Sequence, residues 1–194
     1  MKLGALSSVR SGLVLSRKQS KELTAFEYPL INLRSVLPDG TIDMKGTDIY
    51  HATEPLKKEY LSQKGDLVMR LTAPYTAILI DQAAENMVIS SNFVVIRIER
   101  HLLLPEFLFW FLNTQKVKHT IYENATSNML GAVNAKFLSN LEVDLPPVEM
   151  QKKIAQLNLL ARQESQLLKK LANAKETYYA GVLDQVYKSA KRGK

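Results

Sequence analysis

The chain has 194 residues, of which 46% are hydrophobic and 23% charged, enough apolar content for a real core and too much for wholesale disorder. It contains no cysteine, which excludes disulfides, a thiolate nucleophile and a cysteine-ligated zinc site. The net charge of +7 is unevenly spread: residues 1–38 carry six Lys/Arg against two Asp/Glu, residues 39–145 ten against thirteen, and residues 146–194 ten against four. Both ends are basic and the middle is acidic. The ending "YKSAKRGK" alone supplies four positive charges as a solvated tail, so the isoelectric point by itself is a weak pointer to nucleic acid.

The opening "MKLGALSSVRSGLVLSRKQS" has only a faint signal-peptide character, because Arg10 interrupts short apolar pieces. No stretch approaches the roughly 20 apolar residues of a membrane-spanning helix. No membrane partner is therefore expected, and the lack of cysteine fits a reducing, cytoplasmic location. "YPLINLR" (28–34) is a short strand-forming run, and "PDG" (38–40) is a turn signal. "GDLVMRLT" (65–72) alternates, with Leu67, Met69 and Leu71 on one face and Val68, Arg70 and Thr72 on the other. Pro74 ends it, and "TAILID" (76–81) reads as the returning strand. "FVVIRIE" (93–99) puts Val94, Ile96 and Ile98 opposite Phe93, Val95 and Arg97.

At "LPEFLFWFLNT" (104–114) the period changes to helical, with Pro105 suited to a first turn and apolar side chains covering most of the surface. "QKVKHTIYENA" continues as a second, more polar helix. "TSNMLGAVNAKF" is small and polar and reads as a loop. "LEVDL" (141–145) alternates again, with Leu141, Val143 and Leu145 inward. Pro146 and Pro147 stop that strand and suit the start of a helix. Glu149 falls in its first turn, where a negative charge favours the helix dipole. From Val148 to about Tyr187 there is no further proline, and Ala, Leu, Lys, Gln and Glu dominate. About 40 helical residues would span about 60 Å. The sequence thus predicts an α+β chain. A mixed-strand domain with a small helical insert covers residues 1–145, one long coiled-coil helix covers 146–190, and 191–194 form a basic tail.

Along that helix a seam of alternating three and four spacings runs through Ile154, Leu157, Ala161, Glu164, Leu168, Leu171, Lys175, Tyr178 and Val182. Leu160, Leu167, Leu183 and Val186 widen it. Such a stripe needs a partner, since each buried Leu or Val is worth roughly 1.5–3 kcal/mol. If two copies pair antiparallel about a centre between Lys169 and Lys170, Glu164 faces Lys175 of the other chain. Leu168 then meets Leu171, Ala161 meets Tyr178, and Leu157 meets Val182. An exposed ion pair adds little stability, but it can select register and direction. The alternatives are packing of the helix on its own domain or on a different protein.

Catalytic signatures are not found. His51, His101 and His119 lack metal-ligand spacing, no glycine-rich phosphate loop follows a strand, and no G-x-S-x-G elbow is present. "PDGTIDMK" looks superficially like a nuclease fragment, but its acidic residues stand too close together and "PDG" is an ordinary turn. "DLPP" (144–147) lacks the aromatic residue and the preceding glycine motif of an amino-methyltransferase loop.

Taken in order, "MKLGALSSVRSG", "YPLINLRSV", "KGDLVMRLTAP", "LPEFLFWFLNT" and "ATSNMLGAVNAKFLSNLEVDLPPVEMQKKIA" followed by the long helix resemble the specificity subunits of type I restriction–modification systems. The last block is the most specific. The family typically closes a target recognition domain with a strand, a Pro-Pro pair and Glu-Gln-x-x-Ile opening a spacer helix. Pro146, Pro147, Gln151 and Ile154 match, while Met150 stands where an acidic residue is common and Glu149 lies one position earlier. Full members carry two recognition domains and two spacer helices, whereas this chain holds one of each and looks like a half-subunit.

The resemblance implies a non-catalytic subunit that reads a split double-stranded DNA site. It would position a methylation subunit, which carries the S-adenosylmethionine, and a restriction subunit. No cofactor is expected on this chain. A two-fold homodimer should read an inverted repeat. Phosphate contacts need Lys or Arg, and base reading needs Arg, Asn, Gln, Ser or Thr at loop tips. The candidates are the basic cluster Arg10, Arg17, Lys18 and Lys21; Arg34 at a strand end; Arg70, Thr72 and Tyr75 around "LTAPY", which is similar to a DNA-facing position in the family; and Thr126, Ser127 and Asn128 before the last strand. Two other readings stay open: a structural adaptor whose helix docks a larger enzyme without touching DNA, and an enzyme such as a nuclease.

Overall fold

A computed structural model describes residues 1–20, 26–126 and 133–192. The chain divides into two units, Met1–Lys152 and Lys153–Lys194. The described strands are β1 (Ser7–Ser11), β2 (Glu27–Ile31), β3 (Asp48–His51), β4 (Leu67–Arg70), β5 (Ala77–Leu79), β6 (Val88–Ile89) and β7 (Phe93–Ile98). The α-helices are α1 (Pro105–Leu112), α2 (Gln115–Thr126), α3 (Ala135–Asn140) and α4 (Val148–Arg192), with several short 3-10 turns between the strands.

The strands form two sheets, one of order β1-β7-β4-β5 and antiparallel throughout, the other of order β3-β2-β6. In the second, β2 runs antiparallel to β3 and parallel to β6. The apolar run of β7 explains its central place, because side chains alternate across a sheet and both of its faces are covered. Phe93 and Val95 join Val68, Ile78, Ile80, Ile31, Ile89 and Met87 in one buried cluster that draws on both sheets. Val94 and Ile96, on the other face, are also fully buried. A second cluster gathers Leu13, Leu30, Tyr50, Leu56, Leu61 and Val88 around the smaller sheet.

The two sheets are stitched at one end. Leu13 N donates to Ile89 O at 2.7 Å just after β1. That approach requires glycine at position 12, where a Cβ would lie 2.2 Å from Ser90 O and 2.5 Å from Ile89 O. The predicted "PDG" turn forms, with Gly40 at φ 77° and its N–H bonded to Leu37 O at 2.9 Å.

Helices cover the margins of the larger sheet. α1 packs on β5 and α3 packs on β1. Asn113, just past α1, exchanges two hydrogen bonds with Ala77, from Nδ2 to Ala77 O at 3.0 Å and from Ala77 N to Oδ1 at 3.2 Å. Its amide thus stands in for a neighbouring strand on edge strand β5.

Several elements differ from the sequence expectation. The strand expected over 28–34 stops at Ile31, so Arg34 lies in a turn rather than at a strand end. The "TSNMLGAVNAKF" segment, expected to be a loop, contains the start of α3. Asn134 caps that helix by accepting from Phe137 N at 2.8 Å, and Leu138 is fully buried. Residues 127–132 of the segment lie outside the described residues. "LEVDL" buries Leu141 and Val143 as its alternation predicts, while Leu145 is half-buried, but its ladder is a single bridge between Glu142 and Lys2. Short polar β1 was not legible as a strand at all.

α4 begins at Val148, where the prolines place it, and reaches Arg192 within the segment expected as a tail. Its first turn belongs to the Met1–Lys152 unit. Gln151 is fully buried there and uses every polar group of its amide. Nε2 donates to Leu102 O at 2.8 Å and to Pro146 O at 2.9 Å, and Oε1 accepts from Leu104 N at 2.9 Å. Leucine of similar size would leave these backbone groups unpaired. Gln151→Leu is expected to lower the unfolding free energy of the full chain by about 2–3 kcal/mol in urea titration.

Candidate nucleic-acid interface

One end of the Met1–Lys152 unit gathers the C-terminal ends of β1, β2, β4 and β6 and the start of β7. Arg70 closes β4 opposite Phe93, and its neighbour Leu71 bonds through N to Asn92 O at 3.1 Å. Arg70 Nη1 donates to Leu33 O at 3.3 Å, which joins it to the turn that carries Arg34. Its Nε is buried without a hydrogen-bond partner among the described residues. Thr72 is exposed in the following turn, where Tyr75 N donates to Thr72 O at 3.0 Å. Tyr75 itself is buried at 6% exposure, with φ 51°. Val133 N donates to Leu71 O at 3.1 Å, so Val133 lies beside this turn.

Arg34 stands out from the same end with its side chain 69% exposed. Its guanidinium pairs with Asp48 at the start of β3, and Nε donates to Gly46 O at 3.2 Å. Asn32 bonds the same two partners, Asp48 Oδ2 at 2.6 Å and Gly46 O at 3.0 Å. Arg34, Arg70 and Thr72 are therefore brought to one end. Asp48 and Asn32 were missed from sequence, because their role exists only once β2 and β3 pair with Leu30 opposite Asp48.

The basic cluster is dispersed. Arg10 lies on the inner face of β1, half-buried, with Nη2 buried and without a hydrogen-bond partner among the described residues. Burial above all, and then the charge of Arg97, holds its pKa below the ordinary arginine value, while Asp66 and Glu59 pull it upward. Arg97 is already committed to Asp66, donating from Nε at 2.7 Å and Nη2 at 2.6 Å, and that bond raises its pKa. Asp66 is 1% exposed. Lys18 pairs with Glu54 beyond the far end of β3, and Arg17 is exposed in the 3-10 turn before it. Thr126 ends α2 with its hydroxyl donating to Tyr122 O at 3.1 Å and Glu123 O at 3.0 Å. Lys21, Ser127 and Asn128 lie outside the described residues.

On α4 the seam is open to solvent. Leu157, Ala161, Glu164, Leu168, Leu171, Lys175 and Tyr178 are exposed, and Ile154 and Val182 are half-buried. Among the described residues no three His, Asp or Glu side chains come together as a metal site, and no helix is long and apolar enough to cross a membrane.

Residues 1–173 match the family described as the type I restriction modification DNA specificity domain. The chain belongs to this family. Three solved structures share the fold of this family member. The HsdS subunit of Thermoanaerobacter tengcongensis is 19% identical with a TM-score of 0.62, covering 88% of this chain and 38% of its own. A chain from a structure of a type I R-M system, described for its complex assembly and conformational transition, is 18% identical with a TM-score of 0.60, covering 88% and 39%. The type I S subunit of M. genitalium is 15% identical with a TM-score of 0.53, covering 88% and 40%. This specificity chain thus spans about two fifths of the length of each, with one mixed-sheet unit and one long helix. No curated protein matches it.

The inner-face charges give a stability contrast. Asp66→Ala strands Arg97 and is expected to cost about 3 kcal/mol, at the low end for a broken buried pair because Arg97 stays 28% exposed. Folding lowers the Arg10 pKa, so its charged form is disfavoured in the native state. Arg10→Met is expected to leave stability unchanged or raise it by about 1 kcal/mol. Thermal unfolding of the two variants checks both signs.

Proposed function

We propose that this specificity chain is a non-catalytic, cytoplasmic DNA-reading subunit. It pairs with a second copy through antiparallel α4 helices and reads a bipartite inverted repeat. The reading rests on the open apolar stripe of α4, along which an antiparallel pairing centred between Lys169 and Lys170 would set Glu164 opposite Lys175 of the second copy. Two copies paired in this way put a recognition unit at each end of the helix pair. A helix of 45 residues is about 67 Å long, ample to separate half-sites one DNA turn, about 34 Å, apart. Arg34, Arg70 and Thr72 supply the DNA-facing groups at one end of each unit. The assembled complex would include a methylation subunit, which brings S-adenosylmethionine, and a restriction subunit.

A second reading, favoured by the acidic balance of residues 39–145, is an adaptor that docks a larger enzyme through α4 without touching DNA. The two part on salt. A DNA reader loses affinity steeply as salt rises, because neutralised phosphates release counterions. Binding of the full chain, alone or with a methylation subunit, to methylation-mapped target duplexes is expected to show that slope. In the same assay Arg70→Ala is expected to cost roughly 1–3 kcal/mol and to relax the sequence preference at one base pair; unchanged binding removes Arg70 from the interface.

For the pairing, Glu164→Lys is expected to weaken the dimer by about 0.5–1 kcal/mol, and adding Lys175→Glu to restore it. Sedimentation equilibrium of wild type, single and double variants checks this. Equal association in all three means a different register.

A further inference from the structure

We infer that Arg34 reads a guanine through the outer edge of its guanidinium, and that Asp48 and Asn32 are the positioning residues that aim it. The inference rests on the proposed DNA-reading role and assigns a chemistry within it.

A guanidinium offers two forked edges, one made by Nε and Nη2 and the other by Nη1 and Nη2. In Arg34 the first edge is consumed inside the protein, with Nε on Gly46 O at 3.2 Å and Nη2 on Asp48 Oδ1. On the second edge Nη1 and the remaining hydrogen of Nη2 make no bond to described residues, and the side chain is 69% exposed. Long arginines usually lose several rotamers on binding. This one is held by two bonds at its head.

Its holders are themselves fixed. Asn32 gives both amide hydrogens, to Asp48 Oδ2 at 2.6 Å and to Gly46 O at 3.0 Å. Its Oδ1 accepts from Ser35 N at 2.9 Å, and Ser35 is fully buried, with its hydroxyl donating to Asn32 O at 2.9 Å. The fork is thus referenced to the backbone of the β2–β3 connection rather than left to swing.

Charge selects the ligand. Asp48 already balances Arg34, so a phosphate at the outer edge would place a second anion beside the same guanidinium. A guanine edge is neutral and presents two acceptors, O6 and N7, to a matching pair of N–H groups. The constellation therefore favours base reading over phosphate binding, and places one guanine in each half-site.

The test is selection from a randomised double-stranded DNA library by the full chain, alone and with a type I methylation subunit. The proteins compared are wild type, Arg34→Lys, Arg34→Ala and Asp48→Asn, with salt titration on the selected duplex. Wild type is expected to select a guanine that both Arg34 variants lose, by roughly ten- to a hundredfold. Asp48→Asn should blur that same position by about tenfold and leave the other positions sharp, which a merely destabilised fold would not do. The slope of affinity against salt should not change in Arg34→Ala. A slope smaller by about one with no base preference lost identifies a phosphate contact and overturns the inference. Loss of the guanine in the Arg34 variants without any effect of Asp48→Asn overturns the positioning role. Selection by wild type that ignores Arg34 defeats this inference alone, whereas no selection by wild type defeats the DNA-reading role with it.

Discussion

Water cannot be left against the apolar stripe of α4. From Leu157 to Tyr187 the large apolar side chains of that helix, apart from half-buried Val182, stand at 52–69% exposure. Each would gain on the order of 1 kcal/mol or more by covering its exposed part. An isolated helix draws little stability from propensity alone, and most comes from packing of its apolar face. The stripe is also wider than a two-residue seam, since Leu160, Leu167, Leu183 and Val186 flank it. It therefore asks for a partner surface as long as itself. In the proposed antiparallel pairing a second copy would meet that demand, with small side chains opposite large ones and acid opposite base.

The recognition unit answers a different constraint, that of holding a few polar side chains still. β7 is buried on both faces, so the ends of its neighbours are fixed by the core rather than by loops. Gly12 allows the two sheets to meet by backbone contact, and Asn113 closes an edge that would otherwise invite another strand. The consequence falls on function: Arg70 and Arg34 emerge at the same end, each tied to backbone carbonyls. Gln151 plays the corresponding part at the start of α4, where its buried amide joins the first helical turn to the 102–104 segment.

Legibility in the sequence followed periodicity. β4, β7, α1 and the start of α4 could be read because their side chains obey a period of two or of 3.6, and because prolines mark the boundaries. β1 could not, since "SSVRS" offers only one apolar residue and gains its place by pairing with β7. Arg10 was grouped with the basic cluster for the same reason: a strand that is invisible in sequence cannot say which way its arginine points. α3 was hidden in a polar segment whose helix depends on one cap and one buried leucine. The candidate site shows the same division. Residue type suggested Arg34 and Arg70, but Asp48 and Asn32 become partners only through the β2–β3 register, which no local pattern encodes.

The central claim is that α4 meets a second copy of itself, and the mass of the full chain in solution tests it most directly. Sedimentation equilibrium of the purified chain should give twice 21.9 kDa, dissociating only on dilution. A single species of 21.9 kDa at every concentration, with the α4 leucines protected from solvent, would contradict the account.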